Sequence, residues 1–145
     1  MAETVEPMNQ ALQAQLRQHC EVGYQYYDNG DYKTAIRNFY SAWTLIPKPQ
    51  TQWQESGWVL TALGDAYFRK GDYQNSCEAL CSALHCPECD GNPFVHLRLG
   101  QCHFELDDLE QAKLQFQRVL DQQGKALFEQ ENNKYLNCLL SPSIA

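Results

Sequence analysis

The chain has 145 residues, 43% of them apolar, and it carries a net charge of −7. A chain of this length buries roughly 70% of its unfolded surface when it folds, so we expect a single domain over residues 1–145 that needs no disulfide. The acidic balance argues against a nucleic-acid-binding protein, which usually presents a basic surface, and it favours a basic protein partner.

Neither a membrane segment nor a secretory signal is predicted. No apolar run approaches the roughly 20 residues that a membrane helix needs. The start of the sequence, MAETVEPMNQ, is acidic and polar, unlike a signal peptide. We therefore expect a cytoplasmic protein whose thiols are reduced.

Three segments of the sequence align without gaps, and they begin GYQYYDNGDY at Gly23, GDAYFRKGDY at Gly64 and GQCHFELDDL at Gly100. Each has an aromatic residue or histidine three positions after its first glycine and a turn seven positions after it. Apolar residues recur on both sides of that turn with the spacing of amphipathic helices. Each segment therefore predicts two helices, with a glycine that ends the first and an aspartate that caps the second.

This pattern resembles the tetratricopeptide repeat, a two-helix unit of about 34 residues. The resemblance implies an all-α fold in which three helical hairpins stack as a short right-handed solenoid with a C-terminal capping helix. We place the repeats at about 16–49, 57–90 and 93–126 and the cap at about 127–140. The third repeat matches less well than the others, because Asp107 replaces the turn glycine.

The seven cysteines cannot all pair within one chain, because their number is odd. Cys77, Cys81 and His85 fall on one face of a predicted helix, and Cys86 and Cys89 follow where that helix ends. Cys86 and Cys89, together with two of the three earlier residues, could supply the four ligands of a structural zinc ion. The interpretation that we favour is free thiols without a metal, because Cys77 and Cys81 flank core-facing leucines and buried cysteine behaves as a small apolar residue.

No catalytic constellation is present in the sequence. It lacks the HExxH, GxSxG, Walker and GxGxxG motifs. His96 and His103 lie on one predicted helix, but both fall at positions where helices pack against each other. We therefore predict that the protein is not an enzyme and has no cofactor.

The resemblance implies that the first helices of successive repeats line a concave groove that binds a protein. Aromatic residues and arginines are typical anchors of such interfaces, so alanine at Trp58 or Arg98 is expected to weaken binding and to leave the fold intact. The partner-binding residues that we expect are Arg17, Tyr24, Tyr27, Asp28, Trp58, Asp65, Phe68, Arg69, Phe94, Arg98, Gln101 and Glu105. Repeats that grip the C-terminal carboxylate of chaperones use Lys and Asn where Cys20 and Tyr24 stand here, so that clamp is absent.

The C-terminal half, from NPFVHLRLGQ onward, is similar to small bacterial repeat proteins of polymorphic toxin loci. This resemblance implies an immunity protein that binds a cognate secreted antibacterial toxin domain one-to-one and occludes its substrate cleft. The alternatives are a cytosolic chaperone of a secretion-system translocator or effector, and a general adaptor. A folded enzyme domain as partner indicates immunity, whereas an unfolded apolar segment indicates a chaperone. We expect neither nucleic acid nor membrane as a partner.

Overall fold

The computed structural model describes residues 7–140, and seven α-helices and two short 3₁₀ helices make up its regular structure. The α-helices are α1 (Gln10–Asp28), α2 (Tyr32–Leu45), α3 (Gln54–Lys70), α4 (Tyr73–Ala83), α5 (Pro93–Glu105), α6 (Leu109–Gln123) and α7 (Asn133–Leu140). The 3₁₀ helices are Gln50–Gln52 and Phe128–Gln130. This range contains no strand, which confirms the predicted all-α class. Within the same range, no helix combines the length and the hydropathy needed to cross a membrane.

An aspartate caps the start of each of α2, α4 and α6, as the sequence predicts. The caps are Asp31, Asp72 and Asp108, and each accepts a hydrogen bond from the backbone N–H three residues later. These bonds satisfy one of the N–H groups that the first turn of a helix leaves without a partner. The residue before each cap has a positive φ, which glycine adopts at Gly30 and Gly71 and aspartate adopts at Asp107.

The helices pack in consecutive pairs, α1 with α2, α3 with α4 and α5 with α6, and further contacts of α2 with α3 and of α4 with α5 join these pairs. A glycine in the first helix of each pair faces a large side chain of the second. A Cβ atom on Gly23 would lie 2.5 Å from the Phe39 ring, and one on Gly64 would lie 2.5 Å from the Leu80 side chain. The aligned glycines therefore mark places where the paired helices approach too closely for any side chain.

The core consists of two clusters of buried apolar side chains, the first mainly from residues 8–66 and the second mainly from residues 95–135. Phe39 is fully buried in the first cluster, and Phe116 is fully buried in the second. His96 is also fully buried, with its Nδ1 atom 2.6 Å from Oε1 of Gln115, which confirms its predicted core position. His103 is half-buried on the same helix.

Helix α7 packs against α6 at the C-terminal end of the described chain. The Tyr135 ring lies 5.3 Å from that of Phe104 and 6.0 Å from that of Phe116, measured between ring centroids. Phe128, in the preceding 3₁₀ helix, contacts Phe116 edge to face. These aromatic contacts cover the apolar surface that α5 and α6 leave at the end of the last pair.

Candidate functional site

Helices α1, α3 and α5 lie next to one another, α1 against α3 and α3 against α5, and we call the surface that they form the groove face. All twelve residues predicted to bind a partner lie on these three helices. The two halves of the groove face differ. The half between α1 and α3 contains an open pocket, whereas the half between α3 and α5 is filled by side chains of this chain.

The pocket between α1 and α3 has a volume of about 260 Å³. We call it the α1–α3 pocket, and its main lining residues are Leu16, Arg17, Tyr24, Glu55, Trp58 and Val59. Leu16 and Val59 are buried and form its base, while 59% of the surface of Trp58 and 44% of that of Tyr24 remain exposed. An exposed tryptophan beside a buried apolar floor is the arrangement that protein interfaces use to anchor a partner.

Two tyrosines and an arginine continue the groove face from this pocket toward the C-terminal ends of α1 and α3. Tyr27 accepts a hydrogen bond from Nε of Arg69 at 3.1 Å, and its ring packs edge to face against that of Tyr24. Burial, and to a lesser extent the charge of Asp65, raises the pKa of Tyr24 to about 12. Burial also raises the pKa of Tyr27, against the opposing effect of the Arg69 hydrogen bond. Both hydroxyl groups therefore stay protonated near neutral pH.

Arg98 occupies the centre of the filled half and is only 3% exposed. Its Nε atom donates to Oδ1 of Asp65 at 2.8 Å, and its Nη1 atom donates to Oε1 of Gln101 at 2.8 Å and to Oε1 of Glu131. Its guanidinium carbon also lies 4.7 Å from the centre of the Phe68 ring. One arginine thus joins α3, α5 and the segment that precedes α7.

A second ion pair ties α7 to the end of α5. Nζ of Lys134 lies 2.5 Å from Oε1 of Glu105, and the hydroxyl of Tyr135 donates to the same oxygen at 2.8 Å. Burial acts to raise the pKa of Glu105, but the hydrogen bonds from Lys134 and Tyr135 outweigh it and lower that pKa. Glu105 is therefore engaged within the chain.

The predicted partner-binding residues fall into three groups by exposure. The exposed ones are Arg17, Tyr24, Asp28, Trp58 and Arg69; the half-buried ones are Tyr27, Phe94 and Glu105; the buried ones are Asp65, Phe68, Arg98 and Gln101. Whether the buried group contributes to binding stays a prediction, but its side chains are closed to a partner in this structure. The physical reason is that Arg98 draws the polar members into an internal network, which the chain after α6 closes with Glu131. Alanine at Arg98 would therefore disturb the fold.

Two residues that matter for the site were missed by the sequence analysis. Glu55 lines the α1–α3 pocket but precedes the predicted start of the second repeat at residue 57, because α3 begins at Gln54. An acidic residue in the first turn of a helix was the available signal. Glu131 lies in the segment assigned to the cap, and no local pattern indicates that it reaches Arg98.

The cysteines do not form a metal centre in the described chain. Within residues 7–140, no group of three or more His, Cys, Asp or Glu side chains is arranged to hold a metal ion, and all seven cysteines are free thiols. Cys86 and Cys89 are buried where Gly57 of α3 leaves space for them. The predicted core position of Cys81 is wrong, because its side chain is exposed. A hydrogen bond from Cys77 lowers the pKa of Cys81 to about 7.

Two of the helix pairs that build this face match a known sequence repeat. Sequence models of the tetratricopeptide repeat match residues 59–84 and residues 95–126. No curated protein sequence matches the chain significantly. The two matched segments begin within α3 and α5, so they cover the second and third helix pairs.

Several solved structures share this fold at low sequence identity. The type III secretion chaperone SycD of Yersinia enterocolitica, in complex with a peptide of the translocator YopD, is 16% identical with a TM-score of 0.70, over 90% of this chain and 94% of SycD. The first tetratricopeptide domain of human RPAP3 is 23% identical with a TM-score of 0.64, over 86% and 87%. The tetratricopeptide domain of Arabidopsis FLU is 20% identical with a TM-score of 0.68, over 83% and 99%. The second and third helix pairs therefore match tetratricopeptide repeats in sequence, and the chain shares the fold of these tetratricopeptide domains.

Proposed function

We propose that this chain is a non-catalytic binding module of the cytoplasm that holds a protein partner in the α1–α3 pocket. The observation that carries this proposal is the exposure of Trp58, 59% of whose surface faces solvent beside the buried floor of the pocket. A large aromatic side chain left exposed at the rim of an apolar cavity loses little on ordering and gains a large contact area when a partner covers it.

The partner that fits this pocket best is an extended segment of a client protein. A volume of about 260 Å³ is smaller than a typical small-molecule site and suits one or two amino-acid side chains. The structural relative SycD was solved with a peptide of a translocator, which supports a chaperone or adaptor of this kind. The α3–α5 half of the groove face is filled, so a bound segment would lie mainly across α1 and α3.

A folded toxin domain is the second candidate partner, and the protein would then be an immunity protein. The net charge of −7 favours this candidate, because acidic surfaces accelerate the encounter with a basic domain. The mechanism would be occlusion in a one-to-one complex, in which one loop of the toxin enters the α1–α3 pocket and the rest of the contact covers the toxin's substrate cleft.

Replacement of Trp58 by alanine tests the binding site under either candidate. The partner would be captured from the native host, purified and titrated into the wild type and the variants. We expect Trp58→Ala to weaken binding by about 2 kcal/mol, roughly 30-fold, because buried aromatic anchors commonly contribute that much. Tyr40→Ala is the matched control, since Tyr40 is 54% exposed but lies on α2, outside the groove face. Equal affinity of the Trp58→Ala variant and the wild type would refute the proposed site.

The state of the purified partner separates the two candidates. An isolated partner domain that is folded, and whose enzymatic activity is abolished by one equivalent of this chain, would establish the immunity protein. A partner region that is digested rapidly by protease alone, and is protected when bound, would establish the chaperone or adaptor. Both readouts use the same purified pair and the same Trp58→Ala variant.

A further inference from the structure

We infer that the bound partner presents a basic side chain to Glu55 next to the apolar side chain that fills the α1–α3 pocket. This inference rests on the proposed function and specifies the chemistry of the partner segment at that site.

The floor of the pocket determines the apolar part of the partner. Leu16 is 4% exposed, and Val59 and Ala62 are each 2% exposed, so the base of the cavity is formed by buried aliphatic carbon. Trp58 adds its ring at the rim. Removing apolar surface from water is favourable in proportion to its area, so this floor favours a large apolar partner side chain over a polar one.

Glu55 has a buried oxygen that needs a hydrogen-bond donor, which an apolar side chain cannot supply. Its Oε2 atom is buried, yet it accepts no hydrogen bond from any protein group in the described part of the chain. The three ion pairs found within residues 7–140 also leave Glu55 without a cationic partner. A buried acceptor that stays unpaired has lost its hydrogen bonds to water without replacement, and this cost is larger when the group carries a charge.

A lysine or arginine of the partner meets this requirement best. Hydrogen bonds between an ionised donor and a carboxylate are about twice as strong as those between neutral groups. The net charge of −7 further favours the approach of a basic segment over an acidic one. The lining of the pocket therefore matches an apolar residue that has a basic neighbour in the same segment.

Arg17 also lines the pocket and raises the alternative of an acidic partner group. Arg17 is exposed, so water already solvates its charge in the free protein. An exposed ion pair contributes little because water screens it, and this contribution is less than the gain from pairing the buried oxygen of Glu55. The unpaired oxygen of Glu55 therefore favours a positively charged partner group over a negatively charged one.

Selection from a random peptide library tests this inference directly on the pocket, whatever the natural partner is. Phage-displayed random dodecapeptides would be selected on the full chain and on the variants Glu55→Gln, Glu21→Gln and Trp58→Ala. Glu21 is an exposed acidic residue of α1 that does not line the pocket, so Glu21→Gln is the matched control. Circular dichroism and a melting curve would verify that each variant is folded.

We expect the wild type and Glu21→Gln to enrich peptides in which lysine or arginine neighbours a large apolar residue. The Glu55→Gln variant should keep the apolar preference and lose the basic one. Replacing the basic residue of an enriched peptide by glutamine should weaken the binding of that peptide to the wild type at least 10-fold. The same peptide change should weaken binding to Glu55→Gln less than 3-fold. Enrichment of apolar peptides without basic residues, or a basic preference that survives Glu55→Gln, would overturn the inference alone. Selection that Trp58→Ala leaves unchanged, or no selection at all, would overturn the proposed site with it.

Discussion

Replacement of Arg98 by alanine should destabilise the protein strongly, although the side chain belongs to the predicted binding surface. Arg98 is 3% exposed and donates to Asp65, Gln101 and Glu131. The variant would leave the buried Asp65 and the half-buried Glu131 without their cationic partner. Removing one member of such a buried ion pair costs about 3–5 kcal/mol, and loss of the cation–π contact with Phe68 adds about 1 kcal/mol.

Urea denaturation followed by circular dichroism measures this loss. With an m-value of about 2 kcal/mol/M, the unfolding midpoint should fall by roughly 2–3 M. Arg69→Ala is the control, because Arg69 is exposed and donates one hydrogen bond, to Tyr27. We expect that variant to lose at most about 1 kcal/mol.

A double variant distinguishes an unpaired charge from a mere loss of volume. Arg98→Ala combined with Asp65→Ala should be less destabilised than the sum of the two single variants, because the second substitution removes a carboxylate that the first leaves unpaired. A loss below about 1 kcal/mol for Arg98→Ala, or strictly additive effects in the double variant, would refute the reasoning that the Arg98 network holds the filled half together.

Three further predictions concern packing, thiol reactivity and pH. Gly64→Ala should lower the free energy of unfolding by about 1–3 kcal/mol, since the new Cβ atom would lie 2.5 Å from a leucine of α4, and an unchanged urea midpoint would contradict this. Iodoacetamide should modify Cys81 fastest of the cysteines at pH 7, because Cys77 lowers its pKa to about 7; mass spectrometry that finds equal labelling, or labelling unaffected by Cys77→Ala, would contradict this. Burial opposes ionisation of Glu105, but its hydrogen bonds lower its pKa overall, so its contribution to stability is present above the unfolded pKa of about 4.3 and is lost as the pH falls. Glu105→Gln should therefore be less stable than the wild type at pH 7 and nearly equal to it at pH 3, and a pH-independent difference in urea midpoints would contradict this.

The fold was predictable because the residues that determine each helix pair lie close to one another in sequence. The aspartate caps act on N–H groups three residues away, and the turns use glycine or aspartate immediately before the caps. The aligned glycines report on helix pairs that are neighbours in sequence, such as Gly64 facing Leu80. A gapless register therefore specifies which helices pair and where the turn between them lies.

The state of the candidate site was less predictable because it depends on distant residues. By residue type alone, Arg98 is as suitable an interface anchor as any other arginine. Only its contacts with Asp65 and Glu131, each 33 residues away in sequence, show that it is engaged within the chain. Glu55 was missed because α3 starts before the repeat pattern does. Trp58 was predicted from its position and type, and whether it contacts a partner is still a proposal.

Hydrogen–deuterium exchange of this chain with and without its purified partner tests the central claim most directly. We expect slower exchange on binding in the two segments that line the α1–α3 pocket, residues 13–24 and 55–62, with little change in α6. Protection confined to α6 and α7, with unchanged exchange in α1 and α3, would contradict the claim that the partner occupies this pocket.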